Sequence, residues 1–413
     1  VQVLNKCTPE TAAVVQTVEE YIAGFPSKRK QQLLGTYVKK YQSCRHALFA
    51  IGSPKAYVQK EGKTYLAFDC MPKANEFVTY KWKEMALPKP RTITVPTHEQ
   101  LLICGPYVNA LAEGEKSLWN GGRVLKLSPN SSVRFIMAPG RNALELSEIV
   151  SNLPLVFKTC GDGDMSHNDR SFDNAQREAS LDGMIRRKHP GVTIPTVVKK
   201  MLHACARDCA LIVRTRAEET RDVCIPPGQM FTGMNMTSLL TTVSTMAITA
   251  VMLKDIPGEH VVLAGGDDSF FLSTGVLNEA KMIAIAASLG YEFKCNICNY
   301  GDPAMMGMEF YGMVPYVRES APRFLFGLKF TRALFKMFVV HDVQRPKIDR
   351  FYEKMAGFRL AAPATPLLST LLASVQLDGK GDGVIGYGQK PTYRTRLPAF
   401  DSLVLGNFRA YYG

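Results

Sequence analysis

Apolar positions recur along this chain in two periods, one helical and one alternating. Near the start, apolar side chains sit at helical spacing among Lys and Arg, which predicts helices over 11–23 and 27–41. Pro88, Pro90 and Pro96 punctuate a basic stretch ahead of the apolar run 101–108. From Ser131 the pattern changes. Segments 133–137 and 153–157 read as strands, 195–206 as an amphipathic helix, 211–213 as a strand and 236–253 as a helix. The segment 260–273 reads as two apolar strands joined by Gly-Gly-Asp-Asp, and 278–289 as a helix stopped by Gly290. Beyond Pro322 the chain reads as mostly helical. No internal repeat and no clean linker is visible, so the chain is expected to be α+β in the middle with more helical flanks.

Composition narrows the classes. The 413 residues are 46% hydrophobic and 21% charged, which supplies a substantial core and excludes intrinsic disorder as a description of the whole. The longest weakly polar run, 238–253, is rich in Thr and Ser and falls short of the ~20 apolar residues of a bilayer span. The opening VQVLNKCTPE has neither a basic nor an apolar leader region, so no signal peptide is expected. Ten Cys are scattered without the spacing of a disulfide framework, which points to a reducing compartment. Cys295 and Cys298 form a CxxC with no second pair at zinc spacing, so buried thiols are expected there. Fifty Lys and Arg against 37 Asp and Glu leave +13, and such a surplus attracts phosphate backbones.

The feature with most chemistry is Gly265-Gly266-Asp267-Asp268 between the apolar flanks HVVLA and SFFLS. Glycines permit a sharp turn, and two adjacent carboxylates at a hairpin tip raise each other's pKa unless a cation neutralises them. A metal pair for phosphoryl transfer needs another carboxylate from elsewhere. Asp164, which opens DMSHND with Asp169 five residues on, is the candidate, and Asp162 and Asp173 compete with it. Between these lies Thr232-Gly233-Met234-Asn235-Met236-Thr237, where a Gly-bearing loop leads into a helix with hydroxyls four apart at Thr237 and Thr241. Hydroxyls on one helical face suit recognition of ribose, or they bond back to their own helix. Lys126, Arg134 and Arg141 frame VRFIMAPGR, a strand-like run whose cations suit a triphosphate or form solvated flanks.

In order, RFIMAP (134–139), DMSHND (164–169), TGMNMT (232–237), GGDD (265–268), GYEFK (290–294) and MEFYG (308–312) resemble polymerase motifs F, A, B, C, D and E. The resemblance is to the RNA-dependent RNA polymerases of positive-strand RNA viruses, and in its motifs to tombusvirus-like and related enzymes. It implies a right hand with an RRM-like antiparallel palm sheet flanked by helices. Its lobes would be fingers over 1–153, palm over 154–182, a fingers insertion over 183–228, palm again over 229–312 and thumb over 313–413. Two Mg²⁺ ions, for which Mn²⁺ would substitute, would be held by Asp164, Asp267 and Asp268 with the Met165 carbonyl. Lys294 would be the general acid for pyrophosphate. Lys126, Arg134, Arg141, Asp169, Thr232, Gly233, Thr237 and Thr241 would bind the incoming nucleotide. Glu309, Phe310, Tyr311, Arg323, Lys329 and Arg332 would contact RNA.

The implied partners are template and product RNA, nucleoside triphosphates and a membrane-associated viral replication protein, with the host cytoplasm at membrane-associated replication complexes as the location. Two positions depart from the family pattern, which has Ser at Thr232 and Asn at Thr241. The second removes an amide and puts ribose selection by an Asp–Asn pair in doubt. A reverse transcriptase or other palm-type polymerase shares the carboxylate pattern, and a non-catalytic basic RNA-binding module shares the charge. Against the former, the paired Asp follows Gly266 with Gly265 ahead of it in place of a Tyr-x-Asp-Asp form, and Asp169 offers a ribose acceptor where a bulky steric gate would be expected.

Overall fold

The computed structural model describes residues 13–25, 27–40, 57–72, 92–166, 173–187, 189–214, 221–224, 236–319 and 323–330, with Leu4, Cys7, Ser171, Phe231, Ala333, Asn407 and Ala410. In chain order its elements are α1 (Val18–Ala23), α2 (Ser27–Lys40), β1 (Tyr57–Lys60), β2 (Lys63–Pro72), β3 (Thr92–Pro96) and α3 (His98–Leu118). Then come β4 (Leu125–Ser128), β5 (Ser131–Met137), α4 (Ala143–Ser151), β6 (Thr159–Ser166), α5 (Asn174–Arg186) and α6 (Thr196–Arg207). They continue with β7 (Cys209–Arg214), β8 (Arg221–Cys224), α7 (Thr237–Leu253), β9 (Gly258–Gly265) and β10 (Asp268–Ser273). The last are α8 (Glu279–Ser288), β11 (Glu292–Asn299), β12 (Met313–Val317) and β13 (Phe324–Leu328). The fold is thus mixed α+β, and no helix among the described residues is long and apolar enough to cross a membrane.

The chain forms two compact units, Val1–Leu118 with His167–Ser244, and Trp119–Ser166 with Thr245–Gly413. In the first, β1, β2, β7 and β8 lie side by side, β3 pairs with β2, and β2 runs parallel to β7. Helix α1 begins at a capping box: Thr17 accepts from the Glu20 N–H while the Glu20 carboxylate accepts from the Thr17 N–H. Residues 13–17 ahead of it are not helical, so the expected helix over 11–23 starts later, where its first orphan N–H groups find acceptors. Tyr21 lies against Gly105 of α3, where an added Cβ would sit 2.1 Å from the ring. Deeper in this unit, Arg187 and His189 both bond Glu115 with every side chain buried (2.7 and 3.0 Å).

The second unit is built on a six-stranded sheet in the order β11-β6-β10-β9-β5-β4. All neighbours are antiparallel except β5 and β9, which run parallel. Residues 119–153, which the resemblance groups with the first lobe, lie in this unit because β5 pairs directly with β9. One face of the sheet presents Ile136, Val261, Leu263, Phe270 and Leu272 to a core completed by Leu146 and Val150 of α4 and Phe324 and Phe326 of β13.

Two expected elements differ. Residues 153–157 are not a strand: Leu153, Leu155 and Phe157 pack on that core from an irregular segment, and pairing begins only at Thr159. Residues 324–328, expected helical, form β13, since Phe324 and Phe326 alternate into the aromatic core in register with β12.

Candidate active site

The β9–β10 hairpin closes with the two residues Gly266 and Asp267, because Gly265 and Asp268 are cross-strand partners. Gly266 has φ 64°, the left-handed backbone a two-residue hairpin turn asks of its first residue. Gly265 is glycine for another reason: an added Cβ would lie 2.0 Å from Cε2 of Tyr311, whose ring occupies that space.

Strand β6 sits between β10 and β11, so three rungs cross the face that carries the core. The innermost has Leu272, Cys160 and Cys298; the next has Phe270, Asp162 and Asn296; the last, at the hairpin tip, has Asp268, Asp164 and Lys294. The same face turns from apolar to charged over four residues of each strand.

These rungs separate the competing aspartates. Asp162 is committed to structure, accepting from the Asn296 backbone N–H (3.2 Å), the Asn296 amide Nδ2 (2.8 Å) and the Glu309 N–H (2.8 Å). Asp173 is the N-cap of α5, accepting from the Gln176 N–H at 2.8 Å. Asp164 alone of the three lies opposite Asp268. Burial and the Asp267 charge raise its carboxyl, against the lowering effect of Lys294 and of Ser166. The Asp268 carboxyl is pushed up to about 6 by burial, then by Asp267 and Asp164, while the Tyr311 backbone N–H that it accepts holds it down.

The turn is held from two sides. The Met165 N–H donates to the Asp267 carbonyl (3.2 Å), and the Thr245 hydroxyl of α7 donates to the Gly266 carbonyl (2.7 Å). Thr245 escapes a motif reading, yet it continues the four-residue spacing of Thr237 and Thr241. Those two hydroxyls are engaged with backbone carbonyls: Thr237 with Phe231 (2.7 Å), and Thr241, buried, with Thr237 (2.7 Å) and Ser238 (3.2 Å). Asp169, Thr232, Gly233 and Arg332 lie outside the described residues.

Among the expected cations, Arg134 is tied down by Glu259 and by the carbonyls of Gly121 (3.2 Å) and Gly122 (3.1 Å). It braces the segment before β4 against β9, three residues from the strand end that reaches the tip. Arg141 stands closer to that end, its Nε donating to the Met137 carbonyl at 3.0 Å. Lys126 is exposed on the edge strand β4. Lys294 Nζ meets Glu292 at 3.3 Å, an exposed pair of small energetic weight.

Of the residues expected to contact RNA, Phe310 is fully buried, packed against Phe270 and Phe326, so its ring is core. Tyr311 is exposed beside Gly265. Glu309 pairs with Lys329 at 3.0 Å, and Arg323 is exposed, lining a cavity with Arg318, Tyr300 and Phe157.

The chain matches no protein-family model and no curated protein sequence. The chemistry therefore rests on the donor set itself. Asp164 and Asp268 face each other at the end of a buried hairpin, with Asp267 at the turn; burial and then Asp267 raise Asp164, and burial, Asp267 and Asp164 raise Asp268. Among the described residues no three His, Cys, Asp or Glu side chains are already gathered closely enough to hold a metal ion. The row is a set of adjacent oxygen donors whose repulsion a hard divalent cation would relieve.

Proposed function

We propose that this chain is an RNA-dependent RNA polymerase of a positive-strand RNA virus, a right hand of fingers, palm and thumb whose palm is the sheet around β6, β9, β10 and β11. The observation that carries this is the charged rung: Asp164 and Asp268 paired across neighbouring strands, Lys294 on the third, and Asp267 at a glycine turn between two apolar strands. A solvated surface turn does not need a Thr hydroxyl on its carbonyl, a tyrosine ring against its glycine and an aspartate raised to about 6.

Asp164, Asp267 and Asp268, with the Met165 carbonyl, are the groups that would hold two Mg²⁺ ions. Such ions lower the pKa of a primer 3′-hydroxyl and neutralise the leaving pyrophosphate when bound. The protein's own part is positioning and proton traffic. Thr245 and the Met165 N–H fix the turn so that Asp267 keeps its place. Lys294 Nζ, leaving its exposed partner Glu292, supplies a proton to pyrophosphate. Arg141 is the arginine placed for triphosphate charge, and Tyr311 is the residue placed at the RNA end. Arg134 acts as a brace. Ribose selection would fall to Asp169 with Thr232 and Thr241; the Thr241 hydroxyl, whose proton is engaged by the Thr237 carbonyl, would take part as an acceptor. The partners are template and product RNA and nucleoside triphosphates, and a membrane-associated viral replication protein would bring the enzyme to its membrane.

The test is RNA-templated incorporation with Mg²⁺ or Mn²⁺, comparing ribo- and deoxyribonucleotides. Ribonucleotide incorporation supports the proposal. Preference for deoxyribonucleotides identifies a reverse transcriptase. RNA binding that weakens steeply with salt, without synthesis under either metal, identifies a binding module.

A further inference from the structure

Cys298 belongs to a CxxC, yet its structural partner is not Cys295. Residues three apart on a strand point to opposite faces, and Cys295 is turned away. Instead Cys298 faces Cys160 on the adjacent antiparallel strand, in register, with the sulfurs 3.6 Å apart. Directly opposed residues of antiparallel strands have Cα atoms about 4.5–5.5 Å apart, inside the span that a disulfide bridges. The sulfurs need to close only to about 2.05 Å, which side-chain rotation supplies without separating the strands.

The two thiols are unequal. Cys160 is fully buried beside Leu272, whereas Cys298 is half-buried and reachable from solvent. An S–H shared between them favours the thiolate at Cys298 and the thiol at Cys160, against the acidic neighbours Asp162 and Asp302. That is the division of labour between an attacking and a resolving cysteine.

We infer that Cys160 and Cys298 are a redox modification site that closes to a reversible cross-strand disulfide on contact with a peroxide. The Cys298 thiolate attacks one peroxide oxygen; the S–O bond forms, the O–O bond breaks and hydroxide leaves, giving a sulfenic acid. The Cys160 sulfur then attacks the sulfenic sulfur, its proton departs with the hydroxyl as water, and the S–S bond forms. Two thiols and one peroxide become one disulfide and two waters. The bond clamps β6 to β11 on the rung four residues behind Asp164 and Lys294, about 13 Å away along the strands. The site stands whether or not the chain is a polymerase.

The test treats the intact native chain with a small excess of hydrogen peroxide, then alkylates it under denaturing conditions. The expected result is a mass lower by two hydrogens before alkylation, two fewer alkylated cysteines, and one cross-linked peptide pair containing Cys160 and Cys298 that dithiothreitol releases. Cys295→Ser should still form the link and Cys298→Ser should not; the wild-type peptide map decides the matter even if a variant folds poorly. Amide exchange over 293–297 should slow several-fold in the oxidised form. A link between Cys295 and Cys298, or Cys298 carried on to sulfinic acid with Cys160 still alkylated, overturns the assignment. Unchanged amide exchange overturns the clamp.

Discussion

Replacing Asp268 by Asn should stabilise the folded chain at neutral pH in the absence of divalent metal, and should not do so in acid. The folded carboxyl titrates at about 6 against 3.8 for an ordinary aspartate, so the folded state holds its proton more tightly than the unfolded state does. Well below pH 3.8 both states are protonated and nothing is lost. As pH rises from there to about 6, the unfolded state sheds its proton first, and folding stability falls until both are ionised. Taken at face value, that difference in proton affinity is worth about 3 kcal/mol, and because the carboxylate is partly open to water about 1–2 kcal/mol is the realistic effect. Asn keeps an oxygen to accept the Tyr311 N–H and removes the charge that repels Asp164 and Asp267. Urea unfolding in EDTA, wild type against Asp268→Asn, should show the variant more stable by about that amount at about pH 7.5 and nearly equal at about pH 3. A variant that is destabilised, or stabilised equally at both pH values, would refute the reasoning that repulsion at this rung is real.

Thr245→Val removes the hydroxyl from the Gly266 carbonyl; equilibrium unfolding should fall by about 0.5–1.5 kcal/mol, and nucleotide incorporation should drop while RNA affinity holds. Gly265→Ala drives a methyl into the Tyr311 ring, so circular dichroism should report an intact fold about 1–3 kcal/mol less stable, with synthesis strongly reduced. Arg134→Met should lower the melting temperature through loss of the Glu259, Gly121 and Gly122 contacts and leave the KM for nucleoside triphosphate near wild type. A raised KM at unchanged stability would restore Arg134 to the nucleotide. Asp162→Ala, which strips three accepted hydrogen bonds, should destabilise the chain markedly, whereas Asp164→Ala should not.

The hairpin was readable because its signal is local: short apolar runs on either side of a two-residue glycine-bearing turn specify two strands and their register at once. The choice among Asp162, Asp164 and Asp173 was not, because Asp162 and Asp164 share one face of β6 and differ only in what neighbouring strands bring opposite them. Arg134 misleads for the same reason, since its partner Glu259 lies 125 residues away in sequence. The segment 153–157 is a continuous apolar run, as a buried strand would be, but it packs as an irregular arm, with no neighbour among the described residues to complete a ladder. Thr245 was within reach, one further step along the hydroxyl spacing already marked by Thr237 and Thr241.

The most direct measurement is RNA-templated incorporation of labelled ribonucleotides, with Mg²⁺, by the wild-type chain beside Asp164→Ala and Asp267→Ala, each shown by circular dichroism to be folded. Synthesis is expected from the wild type, and none above the no-enzyme control from either variant. Synthesis at the wild-type rate by both variants, or none by the wild type under Mg²⁺ or Mn²⁺, would contradict the assignment of these carboxylates to a polymerase centre.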